Sequence, residues 1–208
     1  MKRTRGHRFL AIVVVVIVAV GLFLWRLGEV NARAPRIPEK YYSLGETYYY
    51  KGSFLWDRTE NTEGYSLTIE EGELMTPNEY IERFSPDAPR IDDANKSVVA
   101  IKVTIENKNN KDGYIDLVTM GLRTPTKDDF LQCDSLLFEQ AYGKGQPIDV
   151  LKLQPNTSMT VWIPFSLQTN WVLFSHEISR VPLKPGLYQL LLSNLPTQSW
   201  VDVPVSDA

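Results

Sequence analysis

Residues 97–107 read SVVAIKVTIEN, and this stretch decides the fold class. Val99, Ile101, Val103 and Ile105 fall on one face of an extended chain; Ala100, Lys102, Thr104 and Glu106 fall on the other. Side chains alternate across a strand, so apolar residues at every second position predict a strand with one face in a core and one towards solvent. The following NKNNKDG (107–113) carries turn chemistry, because Asn, Asp and Gly tolerate tight backbone conformations. YIDLVTMGL, Tyr114–Leu122, then reads as the returning arm of a hairpin.

The same period recurs on both sides. GYSLTIEEGEL (64–74) places Tyr65, Leu67 and Ile69 on one face. QPNTS (154–158) is a turn before MTVWIPFSL (159–167), in which Met159, Val161, Ile163 and Phe165 alternate with Thr160, Trp162 and Pro164. Pro164 has no N–H to give a ladder, so this strand is predicted to lie at an edge or to end there. KPGLYQLLLSN (184–194) and SWVDVPV (199–205) add two more strands. With a Tyr-rich first strand, about seven or eight are expected. One helix interrupts them: TPNEYIERF, with Thr76 at N-cap, Pro77 at N1 and Glu79 at N3, is a capping box. A second short helix or turn is placed in DSLLFEQAYG (134–143). Many short strands with few helices predict an all-β antiparallel sandwich with one short helix.

Ahead of this domain runs FLAIVVVVIVAVGLFLW, Phe9–Trp25, without a charge. As a helix it spans roughly 25 Å, close to the hydrocarbon thickness of a bilayer. Lys2, Arg3, Arg5 and Arg8 precede it, which predicts a cytoplasmic N-terminus and an extracytoplasmic C-terminal domain. The rival reading is a secretory signal. The run is long for that, and the small-x-small site Ala32-Arg33-Ala34 is followed by Pro35, which obstructs a peptidase. The expected organisation is a cytoplasmic basic tail (1–8), a single transmembrane anchor (9–27), a proline-stiffened stalk (28–45) and an extracytoplasmic β domain (46–208).

The basic tail and anchor, YYSLGE (41–46), EGYSLTIEEGELMTPNEYIERF, VVAIKVTIENKN, LQPNTSMTVWIPFSL and PGLYQLLLSN together resemble small membrane-anchored extracytoplasmic domains of unknown function from Gram-positive bacteria. The resemblance implies an immunoglobulin-like β-sandwich, and it brings no catalytic residues with it.

Composition narrows the function classes. From residue 37 onward, 15 Lys and Arg stand against 24 Asp and Glu, a formal balance of −9, which repels phosphate backbones and argues against nucleic-acid binding. The single cysteine, Cys133, excludes a disulfide within the chain and reads as a small buried side chain. His7 and His176 are the only histidines, too few for a histidine-based metal site, and no cofactor is predicted. Nucleophile-elbow, zinc-protease and phosphate-loop motifs are absent, so no catalytic residues are nominated. Asp92 and Asp93, like NKNNKDG, lack the further oxygen ligands a calcium loop needs and read as solvated turns. LPTQSW (195–200) lacks the features of a wall-sorting signal, and Asn95-Lys96-Ser97 and Asn156-Thr157-Ser158 match only the short glycosylation triplet.

The surface candidate is YYSLGETYYYKGSFLW (41–56). Tyr48, Tyr49, Tyr50, Phe54 and Trp56 could stack on a glycan or grip a protein partner; the competing reading turns alternate rings into the core. The sequence therefore predicts a non-catalytic, membrane-anchored domain that binds or assembles at the bacterial cell envelope. The runner-up is a secreted binding protein released near Ala34, and an envelope enzyme comes third.

Overall fold

A computed structural model describes residues 4–33, 37–91, 96–117, 119–143, 150–169 and 179–208. The chain divides into two compact units, Met1–Arg36 and Ile37–Ala208.

The first unit is one helix, α1 (Thr4–Arg33). Its stretch Ile12–Arg33 is long and apolar enough to cross a membrane, with a mean hydropathy of 2.2 over 18 residues. The helix runs past the expected anchor end at residue 27. Glu29 ties that last part together, pairing with Arg26 at 2.8 Å and Arg33 at 2.6 Å.

The second unit is mostly β. Its strands are β1 (Glu39–Tyr42), β2 (Thr47–Tyr49), β3 (Tyr65–Met75), β4 (Val98–Asn107), β5 (Ile115–Asp116), β6 (Gly121–Arg123), β7 (Phe130–Cys133), β8 (Val150–Leu151), β9 (Thr157–Ser166), β10 (Gln168–Thr169), β11 (Ser179–Arg180), β12 (Gly186–Ser193) and β13 (Gln198–Asp207). Helix α2 (Pro77–Phe84) follows β3, and the single turn α3 (Ser135–Phe138) follows β7 and runs into a π-helical turn at Glu139–Gly143. Helix α1 and strand β1 occupy residues 28–33 and 39–42 of the segment expected to be a proline-stiffened stalk.

The expected two-sheet immunoglobulin-like sandwich is corrected here. One sheet runs β13-β12-β6-β7-β9-β4-β3 and returns to β13 through a parallel pairing of Gly72–Leu74 with Val205–Asp207. The result is a seven-stranded barrel-like sheet. Two features of β3 permit closure. Register shifts by one residue between Ile69 and Glu71, a bulge that bends the strand. At Gly72 an added Cβ would stand 2.7 Å from Val203 Cγ1 and 2.9 Å from Val205 Cγ2, so only glycine lets β13 come this close.

The alternation read from SVVAIKVTIEN holds. Val99, Ile101, Val103 and Ile105 are fully buried in the barrel with Leu67, Val161, Ile163, Phe165, Leu190 and Val203. Ala100, expected outside, is also buried, because α2 and α3 cover that part of the outer face in a second cluster with Met75, Tyr80, Ile81, Leu137 and Trp162. Helix α2 begins with the capping box: Thr76 accepts from the Glu79 amide and the Glu79 carboxylate accepts from the Thr76 amide.

The hairpin expected between 97–107 and 114–122 does not form. Strand β4 has both edges taken along its length by β3 and β9. The following segment splits instead: Ile115–Asp116 pairs with β8, while β6 joins β12 and β7. Pro164 falls where the short β7–β9 ladder, Gln132–Ser166 and Cys133–Phe165, comes to an end, and its carbonyl accepts from the Asp134 amide at 2.8 Å.

Candidate functional site

The Tyr-rich segment divides by alternation. Tyr48 and Tyr50 are buried, while Tyr49 between them is 63% exposed. The two buried rings close a seam. Where β3 and β13 part, β2 lies on β3 and β1 lies on β13, and Tyr42, Tyr48 and Tyr50 pack edge-on between them at 5.2 and 4.9 Å. The Tyr48 hydroxyl meets Ser53 Oγ at 2.7 Å and Ser193 Oγ at 2.9 Å; Tyr50 donates to the Leu192 carbonyl at 2.7 Å. Burial pushes the Tyr50 hydroxyl well above its ordinary pKa. Phe54 is half-buried, and its backbone bridges Leu195. Of the five aromatic residues proposed to bind a partner, Tyr48 and Tyr50 are therefore core, Phe54 is a backbone lock, and Tyr49 and Trp56 remain on the surface.

Trp56 is 72% exposed, on a loop that is held firmly. Glu60 is almost wholly buried, and its carboxylate accepts from the amides of Leu55, Trp56 and Asp57. Burial pushes the Glu60 carboxyl up, and the three amide donors pull the other way. Asp57 caps the 3-10 turn Arg58–Glu60 by accepting from Thr59, and Asn61 ends it in the left-handed region at φ 46. A cleft of about 200 Å³ opens beside this turn, between Phe54, Arg58, Asn61 and Glu63.

A second loop, 108–113, is laced to the first. The Asn110 side chain donates to the carbonyls of Asn61 and Glu63 and accepts from the amides of Asp112 and Gly113. Asn107 accepts from the Asn110 amide and donates to the carbonyls of Asn110 and Leu153. An added Cβ at Gly113 would fall 1.9 Å from the Asn61 carbonyl, so this contact also demands glycine. NKNNKDG is a turn, as expected, but Asn107 and Asn110 are buried organisers of it.

The outer face of the barrel holds a group that the sequence reading missed. Arg123 lies over Trp200 at 4.2 Å and Phe130 at 5.2 Å, and a polar row runs from Arg123 to Gln189 at 3.4 Å and on to Asp202 at 2.8 Å. Trp200 is buried there with its indole N–H unpartnered, and Gly121 has Phe130 above it. These residues come from β6, β7, β12 and β13, so no local sequence signal joins them. LPTQSW supplies Leu195 to the Phe54 bridge and Trp200 to this stack.

Cys133 is buried in the core, and burial pushes its thiol up, which keeps it protonated. Among the described residues, no group of three or more His, Cys, Asp or Glu could hold a metal ion. His176, Asp92, Asp93, Asn95, Ala34 and Pro35 lie outside the described residues. Asn156 heads its triplet from an exposed turn at φ 61.

This barrel coincides with a recognised domain. Residues 39–199 match the family model described as Domain of unknown function (DUF5028). The chain belongs to the DUF5028 family. The match begins at β1 and ends at the second residue of β13, so it takes in all the other strands of the barrel. No curated protein and no solved structure matches the chain.

Proposed function

We propose that α1 is an uncleaved single-pass anchor, with a cytoplasmic N-terminus, and that the DUF5028 barrel works outside the membrane as a non-catalytic binding or assembly module of the bacterial cell envelope. The observation that carries this reading is the length and apolar composition of Ile12–Arg33, enough to cross a membrane. Apolar surface of that length needs a solvent other than water. The basic residues ahead of it favour the orientation. The sequence resemblance to Gram-positive envelope domains supports the location. Tyr49, exposed on β2, is available to a protein or glycan partner.

The test is fractionation. The full chain should sediment with membranes and resist carbonate and high salt, because apolar burial holds it. Protease added to intact protoplasts should digest the barrel and leave the anchor with its tail. A soluble product whose first residue is Pro35 would replace the anchor reading with the secreted one.

A further inference from the structure

The two laced loops lie at the end of the barrel where the chain enters it. Ile37 is the first residue of this unit. Gln198 donates its amide to the Pro38 carbonyl and pairs with Glu39, the first residue of β1. Three residues before Gln198, Leu195 bridges Phe54, and Trp56 follows two residues on. Asn110 ties the loop 108–113 to the same end through Asn61 and Glu63.

This end differs from the other in charge. Lys51, Arg58, Lys108 and Lys111 are exposed here, and among the described residues none of them makes an ion pair. They balance the exposed carboxylates of the same end, Glu39, Asp57, Glu63 and Asp112, in a domain whose formal balance is strongly negative. At the opposite end the exposed Asp87, Asp128, Asp129 and Asp207 outnumber the exposed Lys127 and Lys184, and near it Arg83 and Arg90 are engaged by Glu73 and Glu82.

We propose that the barrel end carrying Trp56, Lys51, Arg58, Lys108 and Lys111 docks on a bilayer bearing anionic headgroups. The inference rests on α1 being a membrane anchor. A protein hot spot gathers apolar side chains into one contiguous patch. Trp56 instead stands beside Asp57, Arg58 and Thr59, all exposed. An isolated indole among exposed cations that make no ion pair suits the headgroup layer, where the ring meets the acyl boundary and the cations meet phosphate. The Glu60 clamp fixes the loop backbone beforehand, so docking orders little that is not already ordered.

The test reconstitutes the full chain in vesicles of dibrominated phosphatidylcholine, with or without dibrominated phosphatidylglycerol. Bromine quenches only indoles that reach the lipid. Subtracting the emission of Trp56→Phe and Trp25→Phe variants isolates the two signals. With phosphatidylglycerol present, Trp56 should be quenched, and a Lys51→Glu/Arg58→Glu variant should lose that quenching while Trp25 keeps its own. Quenching of Trp25 without Trp56 overturns the docking face and leaves the anchor standing. Quenching of neither removes the anchor reading and this inference with it. Trp56 quenching that ignores both lipid charge and the charge reversal overturns the anionic surface.

Discussion

Glu60 illustrates what one buried carboxylate organises. Its three amide partners belong to the loop that displays Trp56. Replacing it with Ala leaves those donors without an acceptor, at a cost on the order of 2–3 kcal/mol. The amides of Leu55 to Asp57 should then exchange with deuterium much faster, while Glu63→Ala, an exposed change in the same loop, should leave them protected. Equal exchange in the two variants would remove the clamp. Cys133 makes a second prediction at this scale. Buried and held protonated, it should react with a maleimide only after denaturant unfolds the barrel. The alternation of Tyr48, Tyr49 and Tyr50 was legible, because period-2 burial is a local property of a strand. Asn110 was not, because its carbonyl partners lie up to 49 residues away; Glu60 has only local partners, and the Asp57–Glu60 capping box is a short-range signal that went unread.

At the scale of elements, the strands of β3, β4, β9, β12 and β13 and the capped helix were all readable. Their order around the barrel was not. A barrel and a sandwich ask the same of each strand, one apolar face and one polar, so alternation cannot tell them apart. What decides is the bulge at Glu70 and the bare Cα at Gly72. Gly72→Ala should therefore destabilise by about 1–3 kcal/mol through overpacking against Val203 and Val205. Gly121→Ala is the comparison, since its nearest neighbour, Phe130 Cδ1, would stand 3.3 Å away and can shift. Denaturant midpoints should fall clearly for the first and little for the second. Adding Val203→Ala to Gly72→Ala should recover part of the loss if contact with that side chain is the cause. Equal midpoints for the two glycine variants would mean that closeness at Gly72 does not govern closure.

For the molecule as a whole, an apolar run followed by alternating strands announced two units, and the structure divides the chain after Arg36. The sequence places the start of the β domain at residue 46 because the prolines of 28–45 read as a stalk, and EKYY is almost wholly exposed. Yet β1 pairs with β13 over four residues, and Tyr42 packs against Tyr48 in the seam. A chain beginning at Ile37 retains every strand of the barrel and should melt in one cooperative transition. A chain beginning at Glu46 lacks β1, which uncovers the edge of β13 at Gln198–Val201 and one side of Tyr48. Lost burial and lost ladder bonds should cost on the order of a few kcal/mol. The exposed strand edge should also promote self-association, because unpaired backbone is a template for another chain. Calorimetry together with sizing of the two truncations checks both effects. Identical melting temperatures and monomeric behaviour in the shorter chain would show that β1 is an attachment to the barrel and no part of what holds it closed.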